Sequence, residues 1–295
     1  SRRQRQMCIR DSCKRICLVF SIVPVLAASA AAQDLWCGGL RQGDVLHGRA
    51  PGFAKAVNGG QTYMIDEDGN FLMAFAREAE KRQELQLVTA DGAVKTAALK
   101  VLPVEWDVQD IKGVPQKKVT PSAANQAAID DERRQVRGAL AEDLRKAYWK
   151  TGFMQPVSGR ISGKFGGQRI MNGRKMNPHA GTDIAAPLGT PVAAAGDGKV
   201  VLTAGDLFYS GNVVVIDHGY GLQTIYAHLN KITVQKGQKV KKGEIIGEVG
   251  KTGRVTGPHL HWGASLKGIR FNPFSLLRLG GSETPVCFNP PSFTN

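Results

Sequence analysis

From about residue 60 to residue 101, short runs of alternating apolar and polar residues recur: Gln61–Ile65, Phe71–Phe75, Glu84–Thr89 and Ala97–Val101. Gly59-Gly60, Asp68-Gly69 and Asp91-Gly92 punctuate them. Gly-Gly and Asp-Gly between apolar runs mark hairpins, because both supply the positive φ that tight turns need. The pattern predicts a small β-rich module over residues 33–117. A denser set of runs follows over residues 151–278: Val192–Ala194, Lys199–Thr203, Asn212–Asp217, Leu222–His228, Ile232–Gln235, Glu244–Val249 and Leu260–Ser265. Gly196-Asp197-Gly198 and Gly219-Tyr220-Gly221 separate some of these. Short strands at near-regular spacing with glycine turns predict an antiparallel sandwich or open barrel.

Between the two regions the period changes. A polar stretch, roughly Lys112 to Asn125, carries Pro115 and Pro121 and reads as a linker, and residues 118–150 are assigned to linker and helix. From Gln126 to Trp149 there is no proline and only Gly138. Ile129, Val136, Leu140, Leu144 and Tyr148 recur at spacings of four and seven. That is one apolar stripe on a long helix, with Asp130, Glu132, Arg133, Arg137, Asp143 and Lys146 on its outer faces. Fewer than four heptads fit, so a packing helix is expected rather than a coiled coil. The fold class expected is therefore mainly β: a C-terminal antiparallel domain, preceded by a small β-module and a long linking helix. Residues 279–295 are left as a tail.

The first 32 residues follow different rules. Lys14-Arg15 precede an apolar run from Ile16 to Ala28 and then Ala30-Ala31-Ala32. This is the layout of an export signal cleaved before Gln33. A membrane anchor fits less well, since the run falls short of the roughly 18 residues a span needs and Pro24 interrupts it. Residues 1–13 lie ahead of the pattern, with Met7 a candidate initiator. Export removes Cys8, Cys13 and Cys17 and leaves Cys37 and Cys287, which either pair in an oxidising compartment or stay free. No stable membrane span is expected after cleavage, and the expected location is the periplasm or cell envelope.

The formal charge of +14 favours polyanionic partners, with cell-wall polymers, anionic membranes and nucleic acids all eligible. Motifs discriminate better. There is no HExxH, no GxSxG and no GxxxxGK[ST], which speaks against the common zincin, serine-hydrolase and nucleotide-hydrolase arrangements. Four histidines instead fall within motifs of the second region. His179-Ala180-Gly181-Thr182-Asp183 offers an imidazole and a carboxylate, both good zinc ligands, and Pro178 and Gly181 suggest that it lies in a loop. His259-Leu260-His261 would put two imidazoles on one face of a strand. His228 closes Tyr226-Ala227-His228-Leu229 at the end of an apolar run. His218, between a strand and a glycine turn, and His47 read as structural.

In that order and within one β-rich segment, these motifs closely resemble the lysostaphin-like (LytM-type) zinc metallopeptidases that cut peptidoglycan peptides. The resemblance extends to Phe165-Gly166, Gly189-Thr190-Pro191-Val192, Asp217-His218-Gly219 and Thr252-Gly253. It implies that His179, Asp183 and His261 bind Zn2+, and that His228 and His259 are catalytic, with the general base open between them. Three protein ligands leave a fourth position for water, as in catalytic rather than structural zinc sites. The activity implied is hydrolysis of peptidoglycan cross-links through a metal-activated water, with peptide stems rather than nucleic acid as partner. The alternative is a non-catalytic peptidoglycan-binding regulator of other wall hydrolases.

Overall fold

The structure, a computed structural model, describes residues 36–279 and 287–294. The expected export signal, residues 1–32, lies outside the described residues. The chain is mainly β with antiparallel sheets, as its patterning predicts.

Residues 36–101, joined by Cys287–Phe288, build two four-stranded sheets. One runs in the order Cys287–Phe288, Trp36–Gly38, Val45–Arg49, Asn70–Ala74. The other runs Gln61–Met64, Lys55–Asn58, Arg82–Val88, Val94–Lys100. In the last two strands Leu85, Leu87, Ala97 and Leu99 point inward while their neighbours face outward, the alternation of a half-buried antiparallel sheet. Gly59 and Gly60 have φ of 55° and 79° and close the hairpin that pairs Asn58 with Gln61. Asp68-Gly69 makes a turn but not a hairpin. The strands on either side of it belong to different sheets, and the Asp66 carboxylate accepts from the backbone N–H of Asp68 and Asn70. Cys37 and Cys287 face each other across paired strands and form a disulfide.

The second region is built on an eight-stranded antiparallel sheet. Its strands in chain order are β1 (Arg160–Gly163), β2 (Gly181–Ala185), β3 (Gly198–Leu207), β4 (Gly211–Gly219), β5 (Leu222–Leu229), β6 (Lys239–Val240), β7 (His259–Leu266) and β8 (Ile269–Phe271). Across the sheet they lie β6-β3-β4-β5-β7-β2-β1, with β8 paired to β7. Strands β4 and β5 are buried along almost their whole length, because both faces are covered. On one face Val214, Ile216, Tyr226, Leu260 and Trp262 share a core with Val192 and Ile246 of a small three-stranded sheet. On the other, Val213, Val215, Ile225 and Ala227 pack under Val136, Ala139 and Leu140 of the long helix.

That helix spans Gln126–Ala141, not Gln126–Trp149. The apolar period continues through Leu144 and Tyr148, but tertiary hydrogen bonds capture the backbone first. The Leu144 N–H donates to the Asp217 carboxylate, the Leu144 carbonyl accepts from Tyr220 N–H, and the Glu142 carbonyl accepts from the Gln223 amide. An extended segment results, followed by a short 3-10 turn at Tyr148–Thr151. Glu132 also departs from the sequence reading. It is buried on the packed side of the helix, in phase with Ile129, where its carboxylate accepts from the backbone N–H of Tyr209 and Ser210 and from the Ser210 hydroxyl. A further strand, Val108–Ile111, pairs in parallel with Gln168–Met171.

Candidate active site

The helix-covered face of the large sheet carries the candidate chemistry. On β7 the even positions Leu260, Trp262 and Ala264 enter the core, so His261 and Gly263 face the other way. Register sets Asp183 of β2 and Ala227 of β5 on either side of His261. Asp183 and His261 therefore meet as direct cross-strand neighbours, with His261 Nδ1 2.9 Å from Asp183 Oδ1. His179 lies in the loop before β2 and is pinned by backbone hydrogen bonds to Gly166 and Gly167. Its Nε2 is 3.0 Å from Asp183 Oδ1 and 3.0 Å from His261 Nδ1. The HxxxD pair was expected on a loop. His179 is in one, but Asp183 is on a strand, where pairing fixes its direction.

The ligand atoms of His179, Asp183 and His261 all lie within 4.8 Å of one another. The surroundings fix each donor. The Lys164 carbonyl accepts from His179 Nδ1, which leaves the Nε2 lone pair toward the shared point. Arg169 holds the Asp183 Oδ2 oxygen and leaves Oδ1 facing the two imidazoles. Burial would raise the Asp183 pKa, but the close approach of the His179 and His261 imidazoles outweighs it and holds the carboxyl well below its ordinary range. Burial lowers the pKa of His179, and that of His261 to about 4, so both imidazoles are neutral at pH 7. Two neutral imidazoles and one carboxylate, with His179 and Asp183 oriented by second groups, are the donor set of a divalent zinc site.

His228 and His259 complete the cluster. Alternation along β5 would send His228 into the core beside Tyr226. Its φ of 64° instead turns the side chain back, and its ring centroid lies 4.9 Å from His259 and 5.9 Å from His261. A left-handed non-glycine residue costs about 1–3 kcal/mol and tends to persist where function requires it. The Thr252 carbonyl accepts from His228 Nδ1 and the Gly257 carbonyl from His259 Nδ1, so each Nε2 is free on the site side. His259 Nε2 is 3.7 Å from Asp183 Oδ1. Burial first, then the nearby His259 and His261, push the His228 pKa well below its ordinary value.

The five singled-out residues thus converge, and the two read as structural stay apart. His218 is fully buried between the Asp197 carbonyl and the Thr224 hydroxyl, and His47 bonds Asn70 and stacks edge-on against Trp149. Sequence reading did not single out Arg169, nor Arg254, whose guanidinium lies 4.3 Å over the Tyr209 ring. Both line the cleft of about 540 Å³ above the cluster, together with Arg133, Arg174 and Lys175. Neither sits in a motif, and Arg169 reaches Asp183 from a strand, Gln168–Met171, that lies outside the large sheet.

Residues 177–273 match the family model described as Peptidase family M23. This chain carries a peptidase family M23 domain. The chain is 52% identical over 114 residues to the peptidoglycan DD-endopeptidase ShyA of Vibrio cholerae, covering 38% of this chain and 26% of that protein. It is 44% identical over 137 residues to the DD-carboxypeptidase/endopeptidase Mpg of Neisseria meningitidis, covering 46% and 31%. The chain thus spans about a quarter to a third of the length of these curated relatives. A crystal structure of a putative M23 peptidase from Pseudomonas aeruginosa superposes with a TM-score of 0.64 at 28% identity, covering 83% of this chain and 96% of that one. That match is too long to be confined to the M23 domain and takes in part of the preceding β-module and helix.

Proposed function

We propose that the protein is a zinc-dependent endopeptidase that hydrolyses peptide cross-links of bacterial peptidoglycan. The observation that carries this reading is the convergence of three ligand atoms within 4.8 Å, flanked by two further imidazoles with free Nε2 atoms. The activities in the names of the aligned relatives support the choice of substrate. His179 Nε2, Asp183 Oδ1 and His261 Nδ1 would hold the zinc. When bound, the metal supplies Lewis-acid polarisation of the scissile carbonyl and acidifies a water molecule.

The rest of the chemistry falls to the chain's own residues. His228 and His259, each oriented through Nδ1, present Nε2 lone pairs to the site: one takes up the proton from the attacking water, and the imidazolium so formed delivers that proton to the leaving amine. Their rings also stand where charge develops on the carbonyl oxygen, and a protonated imidazole there stabilises it. The depressed His228 pKa keeps that ring neutral at pH 7, which suits it to the accepting role. The strands beneath are paired on both sides, so the groups are preorganised rather than assembled by the substrate.

Work in the cell envelope follows from the substrate. The Cys37–Cys287 disulfide fits an oxidising compartment, and no helix among the described residues is long and apolar enough to cross a membrane. The test is zinc content together with digestion of purified sacculi. One zinc per chain and release of un-cross-linked muropeptides are expected, and both are lost in His261→Ala. Full hydrolysis by that variant, or by chelator-treated protein, would remove the basis for the proposal.

A further inference from the structure

We propose that Arg270 seats a carboxylate carried by the substrate beside the bond to be cut, so that the groove selects cross-linked peptides with a free acid at that position. This rests on the endopeptidase reading and names what its site recognises.

The placement comes from register. Arg270 on β8 lies opposite Ser265 on β7. Its side chain doubles back over Gly263, where an added Cβ would stand 3.5 Å from Arg270 Nη1 and 3.3 Å from Ile225 Cδ1. Gly263 is two residues from His261 on the same face, about 7 Å along the strand. The missing side chain at position 263 therefore lets a guanidinium hang over the strand pair next to the metal-ligand cluster.

That guanidinium has no counter-ion. Arg270 is partly buried and makes no hydrogen bond or ion pair with any described residue, and burial pushes its pKa down to about 10. A partly buried cation with no partner among the described residues can take an anion from outside. Arg169, which lines the cleft over the histidines, has Asp183. The neighbours on Arg270's own rung, Ser265 and Gln223, are neutral. Arg270 lines a cavity of about 750 Å³ between the helix and the sheet, which shares Arg133, Tyr209 and Ser210 with the cleft over the histidines. Of the three acids on its wall, Glu132 is bound to Tyr209 and Ser210, Asp143 is bound to Lys267, and Glu142 forms no hydrogen bond or ion pair with Arg270. The groove thus runs from the metal-ligand cluster to an unoccupied guanidinium fork, a geometry that matches a carboxylate bidentately. Where the residue cross-linked through its side-chain amine is the last of its own stem, its α-carboxyl is free, two residues' length (~7 Å) from the bond cut.

The probe is a cross-linked stem-peptide dimer, made with that α-carboxyl either free or as the carboxamide. Wild-type chain should bind and cut the free acid at least ten-fold better, in Kd and in kcat/KM. Arg270→Gln should treat the two alike while still cutting the carboxamide, with an unchanged circular dichroism spectrum and melting temperature. Arg270→Lys, which keeps the charge but not the fork, should retain a reduced preference. Equal treatment of both probes by the wild type, or an undiminished preference in Arg270→Gln, would overturn the proposal. A wild type that binds the acid selectively but cuts neither probe would instead sink the endopeptidase reading and leave the arginine pairing standing.

Discussion

Asp183 divides its carboxylate between two tasks, and Arg169 sets the division. The Arg169 guanidinium grips Oδ2, so that Oδ1 alone faces His179 and His261 at 3.0 and 2.9 Å. Without that grip the carboxylate is free to rotate away from the shared point. Groups that orient metal ligands in this way are commonly worth 10–100-fold in affinity. Arg169→Met should weaken zinc binding by about that factor, read by competition with a chromophoric chelator, while the melting temperature of the metal-free protein changes little. Unaltered zinc affinity would show that Asp183 is oriented by its strand alone.

Gly181 makes a second, sharper demand on the same cluster. A Cβ there would lie 2.6 Å from the Trp262 carbonyl oxygen and 2.7 Å from His261 Nε2. The backbone of β7 cannot yield without breaking its pairing with β2, so the imidazole must move. Gly181→Ala is expected to cost more zinc affinity than Arg169→Met and to lower hydrolysis of sacculi at least a hundred-fold, because about 1 Å of misplacement is enough for that. Activity within three-fold of wild type would mean that the His261 ring has room to shift.

The sequence made strands β3, β4, β5 and β7 of the large sheet and the five clustered side chains legible, since glycine turns bound those strands and the histidines stand in short motifs, whereas β2 read as a loop. Other features depend on contacts that a one-dimensional pattern does not carry. The apolar period ran on through Leu144, but Asp217 and Tyr220, more than 70 residues away, took the backbone groups that would have extended the helix. Glu132 looked like an outer-face charge although its spacing from Ile129 and Val136 placed it on the packed stripe. Strand Val108–Ile111 is largely exposed and pairs with a strand some 60 residues further on, so no local alternation announced it. Arg169, on a strand outside the large sheet, became visible only through its contact with Asp183, and Arg270 only through register, because Gly263 lacks a side chain.

The burial of Glu132 has a measurable consequence. Its two carboxylate oxygens satisfy the N–H groups of Tyr209 and Ser210, and the Ser210 carbonyl in turn holds the His228 N–H at 2.9 Å. Glu132→Ala would leave two backbone donors without partners beneath the helix. The expected loss is about 2–4 kcal/mol of unfolding free energy in urea titrations, accompanied by a lower kcat because the His228 backbone loses its anchor. A loss below about 0.5 kcal/mol would indicate that water replaces the carboxylate freely.

His218 provides a pH-dependent test that does not involve the metal-ligand cluster. The Asp197 carbonyl accepts from its Nδ1 at 2.6 Å, and its Nε2 meets the Thr224 hydroxyl at 2.7 Å inside the core. Burial pushes its pKa from 6.5 down to about 4. Between those values the unfolded chain binds a proton that the folded chain refuses, so the contribution of His218 is fully present above pH 6.5 and is lost as pH falls toward 4. The loss amounts to about 3 kcal/mol. The adjacent Asp217 titrates in the opposite sense. Burial raises its pKa to about 6, so protonation favours the folded state as pH falls through that value. Bulk stability of the wild type therefore understates the histidine effect. The difference in unfolding free energy between wild type and His218→Asn cancels the aspartate to first order. That difference should shrink by about 3 kcal/mol from pH 7 to pH 4. A difference that stays constant over this range would mean that His218 is protonated in the folded state as readily as in the unfolded chain.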